Sequence, residues 1–176
     1  MAMGGLIHSF PPVVDGRSRI LILGTMPSAA SLTRGFYYGR PRNAYWRIMA
    51  RAFNANPPVG IEEKRALILD NQIALWDVLA SCVRPGSLDA DIREETPNDF
   101  RAFFEQWPAI GAILSNGGAA HRLFAKYDAG NHLPILKMPS TSPAHTMPFE
   151  AKCAAWSEGI ILAKARCLAC SQPTSS

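Results

Sequence analysis

Three places in this chain carry side chains suited to holding planar or anionic groups. In residues 19–46, RILILGTMPSAASLTRGFYYGRPRNAYW, Phe36, Tyr37 and Tyr38 stand beside Arg34, Arg40 and Arg42. Aromatic faces hold a base and guanidinium groups hold phosphates; the plain alternative is a strand–helix connection whose aromatics pack inward. Asn43 follows, and Asn is a favoured helix cap. Asp77 is the one charged residue in the apolar run of residues 73–79. A carboxylate buried there is expensive unless paired, so Asp77 serves a site, caps the next turn or pairs with Arg84. The third place is Pro139-Ser140-Thr141-Ser142-Pro143-Ala144-His145, a loop of hydroxyls ending in an imidazole.

These residues need elements to position them. Ile20-Leu21-Ile22-Leu23 is continuously apolar, as in a central parallel strand covered on both faces. Gly24 permits a close backbone approach and Pro27 ends the strand. Residues 28–42 read as a long loop, and a helix runs from 43 to about 53. A loop at the carboxyl end of a parallel strand is where open α/β sheets bind ligands.

Residues 62–71 read as a helix with Leu67 and Ile68 inward, and 73–79 as a second buried strand. Residues 80–96 read as a polar loop of mixed charge. Thr96-Pro97-Asn98-Asp99 opens a helix with proline in its first turn, and Phe100, Phe103, Phe104 and Trp107 form its apolar side. A third strand spans 109–114. The Ser115-Asn116-Gly117-Gly118 turn then leads to a helix over 119–127, with Asn116 as a cap. The glycines there offer free N–H groups to a phosphate, but the rest of a P-loop is missing. A fourth strand spans 133–138. A last helix spans 149–168, with Trp156, Ile160 and Ile161 inward. Residues 1–9 read as a loose tail, 10–14 as an extended apolar plug, and those after Cys170 as frayed. Alternating strands and helices predict an α/β fold with a parallel sheet covered on both sides.

The 176 residues suit one domain. A net charge of +4 and a pI near 9.0 suit a polyanionic partner without proving one. Cys167-Leu168-Ala169-Cys170 is a C-x-x-C with no matching second pair, so incidental thiols outweigh a metal site. No apolar run approaches the roughly 20 residues that span a bilayer, and the N-terminus lacks a signal-peptide pattern. A cytoplasmic protein is expected.

GTMPS followed by YYGRPRNAYW resembles the first motif of the uracil-DNA glycosylase superfamily. It is most similar to the branch that excises hypoxanthine (deoxyinosine) from DNA. The mismatch-specific uracil glycosylases share the layout: a G-x-N-P-G turn, an aromatic, then H-P-x-N-x-F-W. Pro139-Ser140-Thr141-Ser142-Pro143-Ala144 resembles the second motif, H-P-S-P or N-P-S-G. The two motifs stand in order, and the likeness covers residues 10–168.

The resemblance implies a three-layer α/β/α sandwich around a four-stranded parallel sheet, as one domain over residues 1–176. It implies that Tyr38 stacks on a flipped base and that Gly24, Thr25, Met26 and Asp77 line the base site. Most relatives carry Asn or Asp where Met26 stands, to orient the attacking water. In the hypoxanthine branch that duty falls to the Asn of P-R-N, here Asn43. Ser140 replaces the catalytic His or Asn of relatives. Pro27, Ser28, Arg40, Arg42, Ser140, Ser142, Pro143 and His145 are the implied DNA contacts, with Lys137 a further phosphate candidate. His145 is equally readable as a solvent-exposed loop residue.

The activity implied is a monofunctional DNA glycosylase in base excision repair. It acts as a monomer on double-stranded DNA containing a damaged base, takes hypoxanthine before uracil, and needs no cofactor, metal or membrane. Some superfamily members hold an iron–sulfur cluster through cysteines that lie partly near the N-terminus, where this chain has none. The alternatives are a mismatch-specific uracil glycosylase, a protein that binds damaged nucleic acid without cleaving it, and a small-molecule α/β enzyme.

Overall fold

Continuous apolar runs build the centre of the molecule. The structure, a computed structural model, describes residues 5–127 and 132–170. The chain runs β1 (Leu6–His8), β2 (Ile20–Gly24), α1 (Ala29–Arg34), α2 (Tyr45–Ala52), α3 (Ile61–Asp70), β3 (Ile73–Asp77), β4 (Leu79–Val83), β5 (Arg93–Pro97), α4 (Phe100–Gln106), β6 (Ala112–Asn116), α5 (Gly118–Tyr127), β7 (Ile135–Met138) and α6 (Phe149–Cys170). The parallel sheet has the order β3-β2-β6-β7. Every residue of β2 and β3 is buried, as their unbroken apolar sequence requires. Val13 of the expected plug exchanges two 2.9 Å backbone hydrogen bonds with Leu75, beside β3.

Helices pack around this sheet, α6 against β2, β6 and β7, α3 against β3, and α5 against β6 and β7. The buried stripe of α6 is Cys153, Trp156, Ile160, Ala163 and Cys167, spaced by three and four residues. Ile161, expected to face inward, is 67% exposed. It lies one residue off that stripe, about 100° around the helix.

The segment 80–96, expected to be a loop, is instead most of a second sheet. β1, β4 and β5 form an antiparallel sheet in the order β1-β4-β5, and a 3-10 turn at Asp89–Asp91 joins β4 to β5. The expected second strand over 73–79 therefore ends at Asp77, and Leu79 already belongs to the other sheet. β5 is largely exposed and β4 only partly buried, so no apolar run marks them. Residues 6–8 of the expected tail pair with Ser81–Val83 through backbone groups, which composition does not reveal. Residues 1–4 and those after Cys170 lie outside the described residues, as does the side chain of Cys170. The expected loop 28–42 contains α1, which Ser28 caps through Ser31 N–H and Gly35 ends at φ +72°. Pro97 closes β5 rather than opening α4, whose cap is Asp99, accepting from Ala102 N at 3.0 Å. Cys82, Cys153 and Cys167 are buried thiols.

Candidate active site

Parallel register brings the sheet's polar residues to one end. Gly24 pairs with Asp77 across β2 and β3, and Asn116 with Met138 across β6 and β7. The pairing continues past the strands: Val78 N–H donates to Gly24 O at 2.8 Å and Leu79 N–H to Thr25 O at 3.2 Å. A pocket opens at this end. Of the residues expected from the sequence, Gly24, Thr25, Met26, Pro27, Ser28, Tyr38, Arg40, Asn43, Asp77, Ser140, Ser142 and Pro143 line it. Arg42 and His145 are exposed and lie outside the lining. Lys137 is exposed as well, and Arg34 donates to the Gly39 carbonyl.

Asp77 is 3% exposed. Its Oδ2 is buried without a hydrogen-bond partner, and Oδ1 lies 2.5 Å from the point a Cβ on Gly24 would occupy. Burial, then the charge of Asp89, pushes its pKa up to about 7 against the opposing pull of Arg84. Asp77 thus neither caps the next turn nor pairs with Arg84. That guanidinium donates to the carbonyls of Pro27 and Gly86 and stands 3.8 Å from Asp89.

Tyr38 adopts φ +51° and stacks on Tyr45, ring centroids 4.0 Å apart. Its hydroxyl is buried, with Asn116 the polar side chain acting on it. Burial and the nearby Asp77 push its pKa upward, so it keeps its proton. Phe36 and Tyr37, by contrast, are core residues, and the Tyr37 hydroxyl donates to the carbonyls of Phe10 and Pro11.

Asn43 bears out the cap reading and also stands in the pocket. Its Oδ1 accepts from Tyr45 N–H at 2.9 Å and so caps α2, while the residue also lines the pocket. One lone pair of that oxygen and both amide protons remain for a ligand or water.

The second motif is tied to the first. Asn116 accepts from Thr141 N–H and donates to Thr141 Oγ1, both at 2.9 Å. Thr141 O accepts from Ala44 N–H at 3.0 Å. Asn116 is therefore a clamp on the Ser140–Pro143 turn, not the helix cap expected. Gly117 cannot offer its N–H to a phosphate, because Ser115 O and Met138 O already accept from it at 3.0 Å. Its φ of +91° and a Cβ position 3.0 Å from Ser140 Cβ require glycine. Beneath the turn, Lys152 Nζ donates to Ser142 O at 3.1 Å.

Sequence reasoning missed one wall of the pocket. Ser87 and Asp89, from the connection between β4 and β5, line it. Ser87 Oγ accepts from Ala29 N–H at 3.1 Å, and Thr25 Oγ1 donates to Asp89 Oδ2 at 3.3 Å. No local signal marked them, since they reach the site only through the antiparallel sheet. Asn116 and Thr141 were visible, one at a strand end and the other within a quoted motif. Among the described residues no three His, Cys, Asp or Glu side chains gather to hold a metal ion. An aromatic ring, an unpartnered carboxyl and a fixed amide in one pocket suit a planar heterocycle and a water molecule.

A family model described as the uracil DNA glycosylase superfamily matches residues 11–160. A hypoxanthine DNA glycosylase of Methanosarcina acetivorans is 35% identical over 147 residues, covering 78% of this chain and 87% of that protein. One of Methanosarcina barkeri is 28% identical over 160 residues, covering 86% and 96%. The solution NMR structure of a candidate uracil DNA glycosylase from Methanosarcina acetivorans superposes with a TM-score of 0.79 at 31% identity. It covers 91% of this chain and 99% of its own.

Proposed function

The chain belongs to the uracil DNA glycosylase superfamily, and we propose that it is a monofunctional DNA glycosylase. It removes a deaminated base from double-stranded DNA, hypoxanthine before uracil. The observation that carries this reading is the convergence of Tyr38, Asp77 and Asn43 on one pocket while apolar Met26 occupies the turn. The names of the Methanosarcina relatives support hypoxanthine as the first substrate.

The target base leaves the stack to enter the pocket and lies against Tyr38. Asp77 accepts a hydrogen bond from N1–H of hypoxanthine. Met26 has no group to hold water, so that duty is Asn43's, through the lone pair that Tyr45 leaves free. Positioning suffices because the base departs and leaves the sugar as an oxocarbenium-like cation, which water captures without prior loss of its proton. Arg40, Ser142 and Pro143 at the rim engage phosphates. The protein acts without a cofactor, as one domain and as a monomer, in the cytoplasm. No described helix is long and apolar enough to cross a membrane.

The test is cleavage of labelled duplexes carrying one deoxyinosine, uracil, xanthine or normal base, with alkali to break abasic sites. Strong product from deoxyinosine and weaker product from uracil is expected. Product from uracil alone would move the enzyme to the mismatch-specific uracil branch. Binding without product would leave the non-catalytic reading.

A further inference from the structure

The base site described above lacks an obvious group to stabilise the departing base. Ser140 stands where a histidine or asparagine is expected, and among the described residues the lining holds no imidazole or ammonium. It does hold two carboxyl groups, Asp77 and Asp89, in contrasting surroundings. The Asp89 side chain is 44% exposed, receives the Thr25 hydroxyl on Oδ2, and has the Arg84 guanidinium 3.8 Å from Oδ1. Arg84 is itself 1% exposed in its side chain, and a buried guanidinium needs an anion beside it. Asp77 is 3% exposed and receives no donor, with Oδ2 sealed from water. An ionised Asp77 would be a buried, unsolvated anion next to another anion.

We propose that Asp77 works as a neutral carboxylic acid, kept neutral by anionic Asp89, and grips the lactam edge of the base with both oxygens. The inference rests on the pocket being a base site. The carbonyl oxygen of Asp77 accepts from N1–H, and its O–H donates to O6. As the N9–C1′ bond breaks, its electron pair goes to the base and charge spreads onto O6. The Asp77 proton moves to O6 while the oxygen of water bonds C1′ and its surplus proton leaves to solvent. The base departs neutral, and Asp77 regains a proton from solvent. Uracil presents the same donor–acceptor edge at N3–H and O4, so the device serves both bases.

The charged and titratable groups around Asp77 agree. Tyr37 and Tyr38, from the segment after α1, keep their protons. Asp89 raises Asp77 from the 3-10 turn, and Arg84 opposes it from the end of β4. Arg122 of α5 acts on Asp89, which burial lifts while Arg84 and the Thr25 hydroxyl pull it back.

Single-turnover excision of deoxyinosine between pH 5.5 and 9 tests this. The wild-type rate should fall as pH rises through neutrality. Asp77→Asn keeps one donor and one acceptor but has no proton to give, so it should lose about 10²-fold at pH 6. It should also lose the falling limb, which assigns that limb to Asp77 rather than to N1–H of the base. Asp89→Asn removes the neighbouring anion and should move the limb to lower pH. If that variant fails to fold, Thr25→Val weakens the Asp89 anion and should move the limb the same way. A wild-type rate that rises with pH, or a limb that neither variant moves, overturns the proposal but leaves the glycosylase reading intact. If no duplex is cut at any pH, that reading falls. Free hypoxanthine bound more tightly at pH 6 than at pH 8.5 would then still support the acid form of Asp77, and equal binding would overturn it.

Discussion

Asp77 Oδ1 occupies the space beside Gly24 that any other residue would fill with a Cβ, the two points lying 2.5 Å apart. The Tyr38 hydroxyl is 3.0 Å from the same point. The parallel register that sets Gly24 against Asp77 therefore also fixes the carboxyl and the ring in one place. Gly24→Ala should displace both groups and lower excision by ~10²-fold, with the fold retained. Single-turnover rates beside thermal unfolding check this, and a fully active variant would show that neither group needs its observed position.

Asn43→Ala should abolish excision and leave DNA binding largely intact. The lost cap on Tyr45 N–H should cost about 1 kcal/mol of stability, far too little to unfold the protein. Near-normal excision would remove Asn43 from the chemistry.

Asn116→Ala should destabilise the protein by about 1–3 kcal/mol, because it leaves the buried Thr141 N–H without its acceptor. Excision should fall as well, since the Ser140–Pro143 turn loses its clamp. Urea unfolding and the duplex assay together measure both effects. Unchanged values for both would rule out the clamp.

The burial of Asp77 has a consequence for stability. Its pKa is about 7 in the folded protein against 3.8 for a free aspartate side chain. The folded state thus holds an extra proton between about pH 4 and 7. That contribution to stability is fully present below the unfolded value, is lost as pH rises through the folded one, and stays lost above it. The loss is at most about 4 kcal/mol. Asp77→Asn should be more stable than wild type at pH 8 and should lack this slope. Equal slopes for the two proteins in thermal unfolding from pH 4 to 8 would mean that Asp77 is ionised throughout.

Affinity for duplex DNA should fall steeply with salt, as counterions return to the phosphates. Arg40→Ala should reduce the log–log slope by about 1. An unchanged slope would place Arg40 away from the phosphates.

The sequence by itself determined the parallel sheet, because Ile20–Leu23 and the run beginning at Ile73 are too apolar to sit anywhere but the centre. It also marked the ends of those strands as a candidate site, because Gly24 and Asp77 break the apolar pattern there. Asn43 was legible as a cap or, through the family resemblance, as a water-holder, and the structure shows the cap while leaving a second lone pair on the same amide oxygen. Only tertiary structure decided that residues 80–96 fold into strands. Their cohesion comes from backbone pairing with β1, which leaves little trace in side-chain composition. That second sheet brings Asp89 to Thr25 across 64 residues of chain and Arg84 to the carbonyl of Pro27. Likewise Asn116 meets Thr141 only because β6 and β7 are neighbours in register. Strand identity follows from local hydrophobicity, whereas the partners of a polar side chain depend on which distant segments the fold delivers to it.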